Sequence, residues 1–244
     1  AYERRKMTSE AVREYRLVLA KNPGDVQALE RLADLTYKNK NYGEATGYLE
    51  ALARQYPRKL DIFVRLAYAY GETKNFAESA RCYEKAVALG LRDQTLYANL
   101  AYTYERLGKE KEAVKYYKKI SPPDTKISAY IAGYYLKEKQ FAEAIKYYQQ
   151  LVKLEPRKSS SYFSLGYAHG AAKNWDKAIE NYLTALKYDR EDDEIYANLG
   201  LAYEQKGLYA KALEAYRRAY EINPQTKVAP RIPRLRIELM KEKK

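Results

Sequence analysis

Tyr97-Ala98-Asn99-Leu100-Ala101-Tyr102 returns later in the chain as Tyr196-Ala197-Asn198-Leu199-Gly200-Leu201, and each copy is followed at equal offsets by a glycine, an alanine and a tyrosine. These are Gly108, Ala113 and Tyr117 in one copy and Gly207, Ala212 and Tyr216 in the other. A fixed internal period constrains the fold more strongly than local propensity does. Extending the frame outward places repeats at 26–59, 60–93, 94–124, 125–158, 159–192 and 193–226; the third of these is shorter than the rest. Its Pro122-Pro123 should end the second helix early, because proline lacks an amide hydrogen and clashes with the preceding turn. A local change of superhelical pitch is expected there.

The recurring slots have physical reasons. Small residues at Ala33, Ala67, Ala101, Ala132, Gly166 and Gly200 let the first helix of each pair approach its partner. Tyr104 with Tyr117, and Tyr203 with Tyr216, supply one ring from each helix of a pair to wedge the hairpin. Pro23, Pro57, Pro156 and Pro224 stand where a second helix must stop. Most of the 28 tyrosines are expected in the core. In the doublets Tyr116-Tyr117 and Tyr147-Tyr148, one ring should pack and the other cover the outer face.

This pattern resembles the tetratricopeptide repeat. The copy at 193–226 carries Tyr196, Leu199, Gly200, Tyr203, Gly207, Tyr209, Ala212, Tyr216, Ala219 and Pro224 in the family's slots. The resemblance implies an all-α, right-handed α-solenoid of helix-turn-helix repeats. His169, Ser79 and Arg190 depart from the usual Tyr, Ala and Pro without threatening that fold. Residues 1–25 read as the second helix of a truncated leading repeat, so the chain is expected to be an excised or processed fragment. Residues 227–244 read as a basic C-terminal capping helix with Ile232, Leu235 and Leu239 on one side.

In this family the first helices line a groove. Carried onto this sequence, its positions give Arg31, Arg65, Asn99, Tyr130, Ser164 and Asn198 at one level, with Tyr68, Tyr102 and Tyr167 at another and Tyr37 and Arg106 beyond. Arginine, asparagine and tyrosine offer donors for carboxylates and carbonyls beside rigid amphipathic rings, which suits a protein or peptide ligand of acidic character. No repeat pairs Lys at its fifth position with Asn at its ninth, which argues against the family's carboxylate clamp for chaperone tails.

Composition bounds the alternatives. Hydrophobic residues make up 46% and charged residues 32%, enough for order nearly throughout. No apolar run approaches the roughly 18 residues of a membrane-spanning helix, so a soluble chain is expected, with cytoplasm and periplasm both open. The lone Cys82 excludes an internal disulfide, and with the lone His169 it cannot make a zinc site of Cys and His ligands. Cys82, His169 and Trp175 read as packing residues. Glycine-rich phosphate loops, paired metal ligands and nucleophile motifs are absent, so neither cofactor nor enzymatic activity is expected.

The net charge of +13 gathers in 125–158 and 227–244. Arg231, Arg234, Arg236, Lys241, Lys243 and Lys244 surround aliphatic residues, a composition open to contact with an anionic membrane surface; the plainer reading is a solvated cap. No nucleic-acid partner is expected. The leading function is a non-enzymatic interaction scaffold or adaptor, a module of a larger protein or complex. The alternatives are a basic module for an anionic polymer or membrane surface in envelope or polysaccharide assembly, and the targeting arm of a truncated enzyme. Oligomeric state stays open.

Overall fold

A computed structural model describes residues 2–241, with side chains from Ser9 onward, and among the described residues all regular structure is helical. The chain divides into two compact units at Ser121 and Pro122. The first holds α1 (Tyr2–Lys21), α2 (Val26–Lys38), α3 (Tyr42–Gln55), α4 (Leu60–Glu72), α5 (Phe76–Ala88), α6 (Gln94–Arg106) and α7 (Glu110–Tyr117). The second holds α8 (Thr125–Lys137), α9 (Phe141–Leu154), α10 (Ser159–Ala171), α11 (Trp175–Tyr188), α12 (Asp193–Gln205), α13 (Tyr209–Ile222) and α14 (Arg231–Lys241).

Helix starts and stops follow from local chemistry. Asp25, Asp93, Asp124 and Asp192 accept hydrogen bonds from first-turn amides of α2, α6, α8 and α12, satisfying donors that the helix itself leaves unpaired. Inside each hairpin the chain turns through one left-handed residue, in order Lys40, Lys74, Gly108, Lys139, Lys173 and Gly207. Second helices α3, α9 and α13 end two residues ahead of Pro57, Pro156 and Pro224. Helix α7 stops at Tyr117, well before Pro122, because the amides of Lys119 and Ile120 turn back to Tyr116 and Tyr117 in tight three-residue bonds of 3.0 Å.

Within each unit, consecutive helices pack side by side. Leu29, Leu49, Leu52, Ile62 and Leu66 form one core of the first unit, while Tyr182, Ile195 and Leu199 anchor one in the second. The small slots are tight: Ala33, Ala67, Ala101 and Ala132 are wholly buried. A methyl group added at Gly166 would meet the Tyr182 ring at 2.8 Å, and one at Gly200 would meet Tyr216 at 2.5 Å. Helix α14 caps the second unit through Ile232, Leu235 and Leu239 against Leu213 and Tyr216. Arg231 fixes it by donating to both carboxylate oxygens of Glu204, at 3.0 and 2.8 Å.

The tyrosines correct two sequence expectations. Ten are buried among the described residues, and the rest are half-buried or exposed, so the core takes fewer than expected. Both rings of each doublet are buried. Tyr116 stacks between Tyr97 and Tyr104, at centroid distances of 6.3 and 5.8 Å, and Tyr147 stacks on Tyr135 at 6.0 Å. Neighbouring helices cover what would otherwise be an outer face, and the hydroxyls stay near the surface with polar partners, as Tyr104 shows by donating to Glu84.

Candidate functional site

The expected groove residues stand on first helices: Arg31 and Tyr37 on α2, Arg65 and Tyr68 on α4, Asn99, Tyr102 and Arg106 on α6, Tyr130 on α8, Ser164 and Tyr167 on α10, and Asn198 on α12. Tyr68, Tyr102 and Tyr167 expose 38%, 43% and 48% of their surface, which leaves these rings available for contact. Arg31 is exposed, and Tyr130 is half-buried.

Several of the proposed donors are already engaged. Arg65 pairs with Asp34 at 2.7 Å, reaches Asp61 at 3.9 Å and lies 5.0 Å from the Tyr37 ring centroid. Ser164 Oγ donates to the Ser160 carbonyl at 2.9 Å, and Asn198 Nδ2 donates to the Glu194 carbonyl at 2.8 Å. Asn99 stands beside the buried Tyr83 phenol in the same cleft. Tyr37, Tyr42 and Tyr68 form a closed ring cluster with centroids 5.3 to 6.0 Å apart. Burial, then the neighbouring Tyr42 and Tyr68, push the Tyr37 phenol up to about 12, so it stays a neutral donor.

Two clefts open on this face, one in each unit. The first, about 260 Å³, lies among α4, α5 and α6. Tyr68, Gly71, Glu72, Phe76, Tyr83, Asn99, Tyr102 and Arg106 line it, with Lys74 at its lip. The Arg106 guanidinium lies 5.0 Å from the Phe76 ring centroid and donates to the Tyr102 hydroxyl at 3.1 Å. The second, about 250 Å³, lies among α10, α11 and α12, lined by Tyr167, Gly170, Ala171, Trp175, Tyr182, Asn198, Leu201 and Gln205. Every one of these stands ninety-nine positions after its counterpart in the first cleft.

One position separates these two clefts from the matching place on α2. Gly71 and Gly170 occupy the twelfth place of their repeats, and Tyr37 holds that place on α2, where its ring fills the space beside Tyr42 and Tyr68. Sequence reasoning placed Leu201 at a groove level and Glu72 among the groove aromatics, but did not single out Gly71, Lys74, Phe76, Gly170, Trp175 or Gln205 as cleft residues. The signal that marks them is a glycine inside a helix, which weakens the helix and needs a reason.

Elsewhere the chemistry is quiet. His169 is buried; burial holds its pKa below the usual value, and nearby Lys177 lowers it further against the opposing pull of Glu180. Its Nδ1 has no hydrogen-bond partner. Burial pushes the Cys82 thiol up to about 11, so it is a protonated packing group. Among the described residues no cluster of His, Cys, Asp and Glu is arranged to hold a metal, and no helix is long and apolar enough to cross a membrane.

Solved structures share this architecture. The C-terminal part of a TPR repeat-containing protein from Cytophaga hutchinsonii is 17% identical over 92% of this chain and 93% of that one, with a TM-score of 0.58. MamA from position 41 to its end, from Desulfovibrio magneticus RS-1, is 20% identical over 69% of this chain and 97% of that one, with a TM-score of 0.55. Another crystal structure of MamA is 23% identical over 66% and 95%, with a TM-score of 0.54. Identities this low establish a shared fold. No curated protein matches the sequence. The tetratricopeptide-repeat pattern matches residues 1–59, 64–124, 131–183 and 163–226. With helix hairpins recurring through both units, the chain belongs to the tetratricopeptide-repeat family.

Proposed function

We propose that the protein is a non-enzymatic scaffold whose first-helix face holds a segment of another protein. The observation that carries this reading is the pair of clefts at equivalent places, one bordered by the exposed rings of Tyr68 and Tyr102 and the other by that of Tyr167, and each carrying an asparagine, Asn99 or Asn198, at the same level. Their volumes fall below the roughly 300–1,000 Å³ of small-molecule pockets, a size that suits single side chains of an extended or helical peptide. Aromatic rings fixed by a rigid helix contribute contact area at low entropic cost, the usual basis of interface hot spots.

The test uses Tyr102→Ala combined with Tyr167→Ala. Both rings are largely exposed, whereas Tyr68 also packs on Tyr37 and Tyr42 and would confuse binding with stability. Affinity capture from an extract of the source organism, with proteins identified by mass spectrometry, should lose its specific partners in the double variant while the circular dichroism signal is unchanged. Retention of the same partners at the same yield would remove the first-helix face as the binding surface.

A further inference from the structure

We propose that the two clefts are side-chain anchors of different chemistry: the α4–α6 cleft takes a carboxylate side chain on Arg106, and the α10–α12 cleft takes an aliphatic side chain against Trp175. The inference rests on the scaffold reading and specifies what the bound segment must contain.

Three observations set the first anchor. Arg106 has no carboxylate partner among the described residues, yet its guanidinium is oriented by the Phe76 face and the Tyr102 hydroxyl. Orientation of the fork in advance lowers the entropy lost on forming a bidentate pair. The charged side chains of this cleft are Glu72, Lys74 and Arg106, a cationic balance. Glu72 stands beside the Tyr68 hydroxyl, whose pKa is raised by burial and then by this carboxylate. The molecule also contains the filled version of the same arrangement: Arg65 lies on the Tyr37 ring and grips Asp34 at 2.7 Å. A carboxylate on Arg106 would complete there what Asp34 completes on Arg65.

The second anchor differs by substitution at matched places. Arg106 is replaced by Gln205, Glu72 by Ala171, Tyr102 by Leu201 and Thr103 by Ala202, so its lining carries no charged side chain. A methyl group added at Gly170 would meet Tyr182 Oη at 3.5 Å and the Trp175 ring at 3.7 Å, ordinary contact distances, so the open space lies above this glycine rather than being forced by a clash. An aliphatic side chain entering there replaces water against Trp175, Tyr182 and Leu201. Trp175 is the only tryptophan, which makes its emission a reporter of this cleft alone.

The experiment uses four pools of short, C-terminally amidated degenerate peptides on a Gly/Ser/Asn background, enriched in Glu and Leu, in Lys and Leu, in Glu alone, or in Leu alone. Binding is read by anisotropy of labelled pools, and Trp175 emission is read with unlabelled ones. The Glu and Leu pool should bind best. Arg106→Gln should weaken it about tenfold, toward the Leu pool, while the Trp175 response survives. Gly170→Leu, which fills the second cleft as Tyr37 fills its own, should abolish the Trp175 response and leave the Glu preference intact; Leu201→Asn, at a half-buried place on α12, gives the same reading with a side chain of similar shape, its fold checked by circular dichroism. Equal binding of all pools, preference for Lys, or indifference to Arg106→Gln would overturn the anchor assignment while leaving the groove as a peptide site. Failure of every pool to bind would overturn both readings.

Discussion

The cleft of α4–α6 and the cleft of α10–α12 are built on matched backbone positions and are nearly equal in volume, and both are lined by aromatic rings, yet one carries charged side chains while the other carries none. A third region, between α2 and α4, has the same backbone arrangement and no opening, because Tyr37 stands where the other two have Gly71 and Gly170. Repetition thus preserves the shape of the cleft while leaving its chemistry free. A repeat protein can alter what it holds one side chain at a time without disturbing the core, because each hairpin contacts only its neighbours.

The largest effect expected from this comparison separates two kinds of helical glycine. Gly200→Ala drives a methyl group into the fully buried Tyr216 ring, whose hydroxyl is held by Glu204 at 2.6 Å, and should lower stability by about 3 kcal/mol. Gly166→Ala, against the buried Tyr182, should cost about 2 kcal/mol. The cleft glycines reverse the sign: Gly71→Ala and Gly170→Ala have room for the methyl group and should each stabilise by about 0.5–1 kcal/mol through helix propensity. Urea midpoints of the four variants decide the matter, and destabilisation by Gly170→Ala would break the claim that this position is open.

These distinctions mark how far the sequence could be read. The period was legible because the same residues return at equal offsets, and the small slots and proline stops because each follows from residues close in sequence. The state of Arg65 was not, since Asp34 lies one repeat away and the pair forms only when α2 and α4 are laid side by side. The clefts were missed for a related reason: Gly71 reads locally as a weak helical residue, and its meaning appears only beside Phe76 and Arg106. The tyrosine doublets misled because helical periodicity assigns one ring outward, whereas both are buried, with Tyr116 and Tyr147 stacked on Tyr104 and Tyr135 of the preceding helix.

A smaller contrast concerns Tyr70 and His169, again matched by position. Tyr70 donates its hydroxyl to Glu50, while His169 Nδ1 has no partner, and Glu50 is matched by Gln149. Burial keeps His169 neutral, with its folded pKa below the unfolded value of roughly 6.5. The folded state then binds fewer protons than the unfolded one, so this contribution is fully present above the unfolded pKa and is lost as the pH falls toward the folded value. Between pH values on either side of that window, the urea midpoint of the wild type should fall further than that of His169→Phe. Parallel curves for the two proteins would show that His169 titrates alike in both states.

The smallest effect should come from the hairpin turns, where both units place one residue in the left-handed region. Lys74 and Lys173 sit there at φ of 63° and 61°, while Gly108 and Gly207 sit at 69° and 73°. A side chain at this backbone conformation costs roughly 1–2 kcal/mol, and replacing it by glycine gives back part of that gain through the greater freedom of the unfolded chain. Lys74→Gly and Lys173→Gly should therefore each raise stability by about 0.5 kcal/mol, and Gly108→Lys should lower it by a similar amount. Lys74 also borders the charged cleft, whereas Lys173 is not among the residues lining the apolar one. If the ammonium of Lys74 balances Glu72 across that cleft, Lys74→Gly will gain less than Lys173→Gly, and the gap between the two will close as salt is added. Equal gains at every salt concentration would reduce Lys74 to a turn residue and leave Arg106 as the cation that matters in the first cleft.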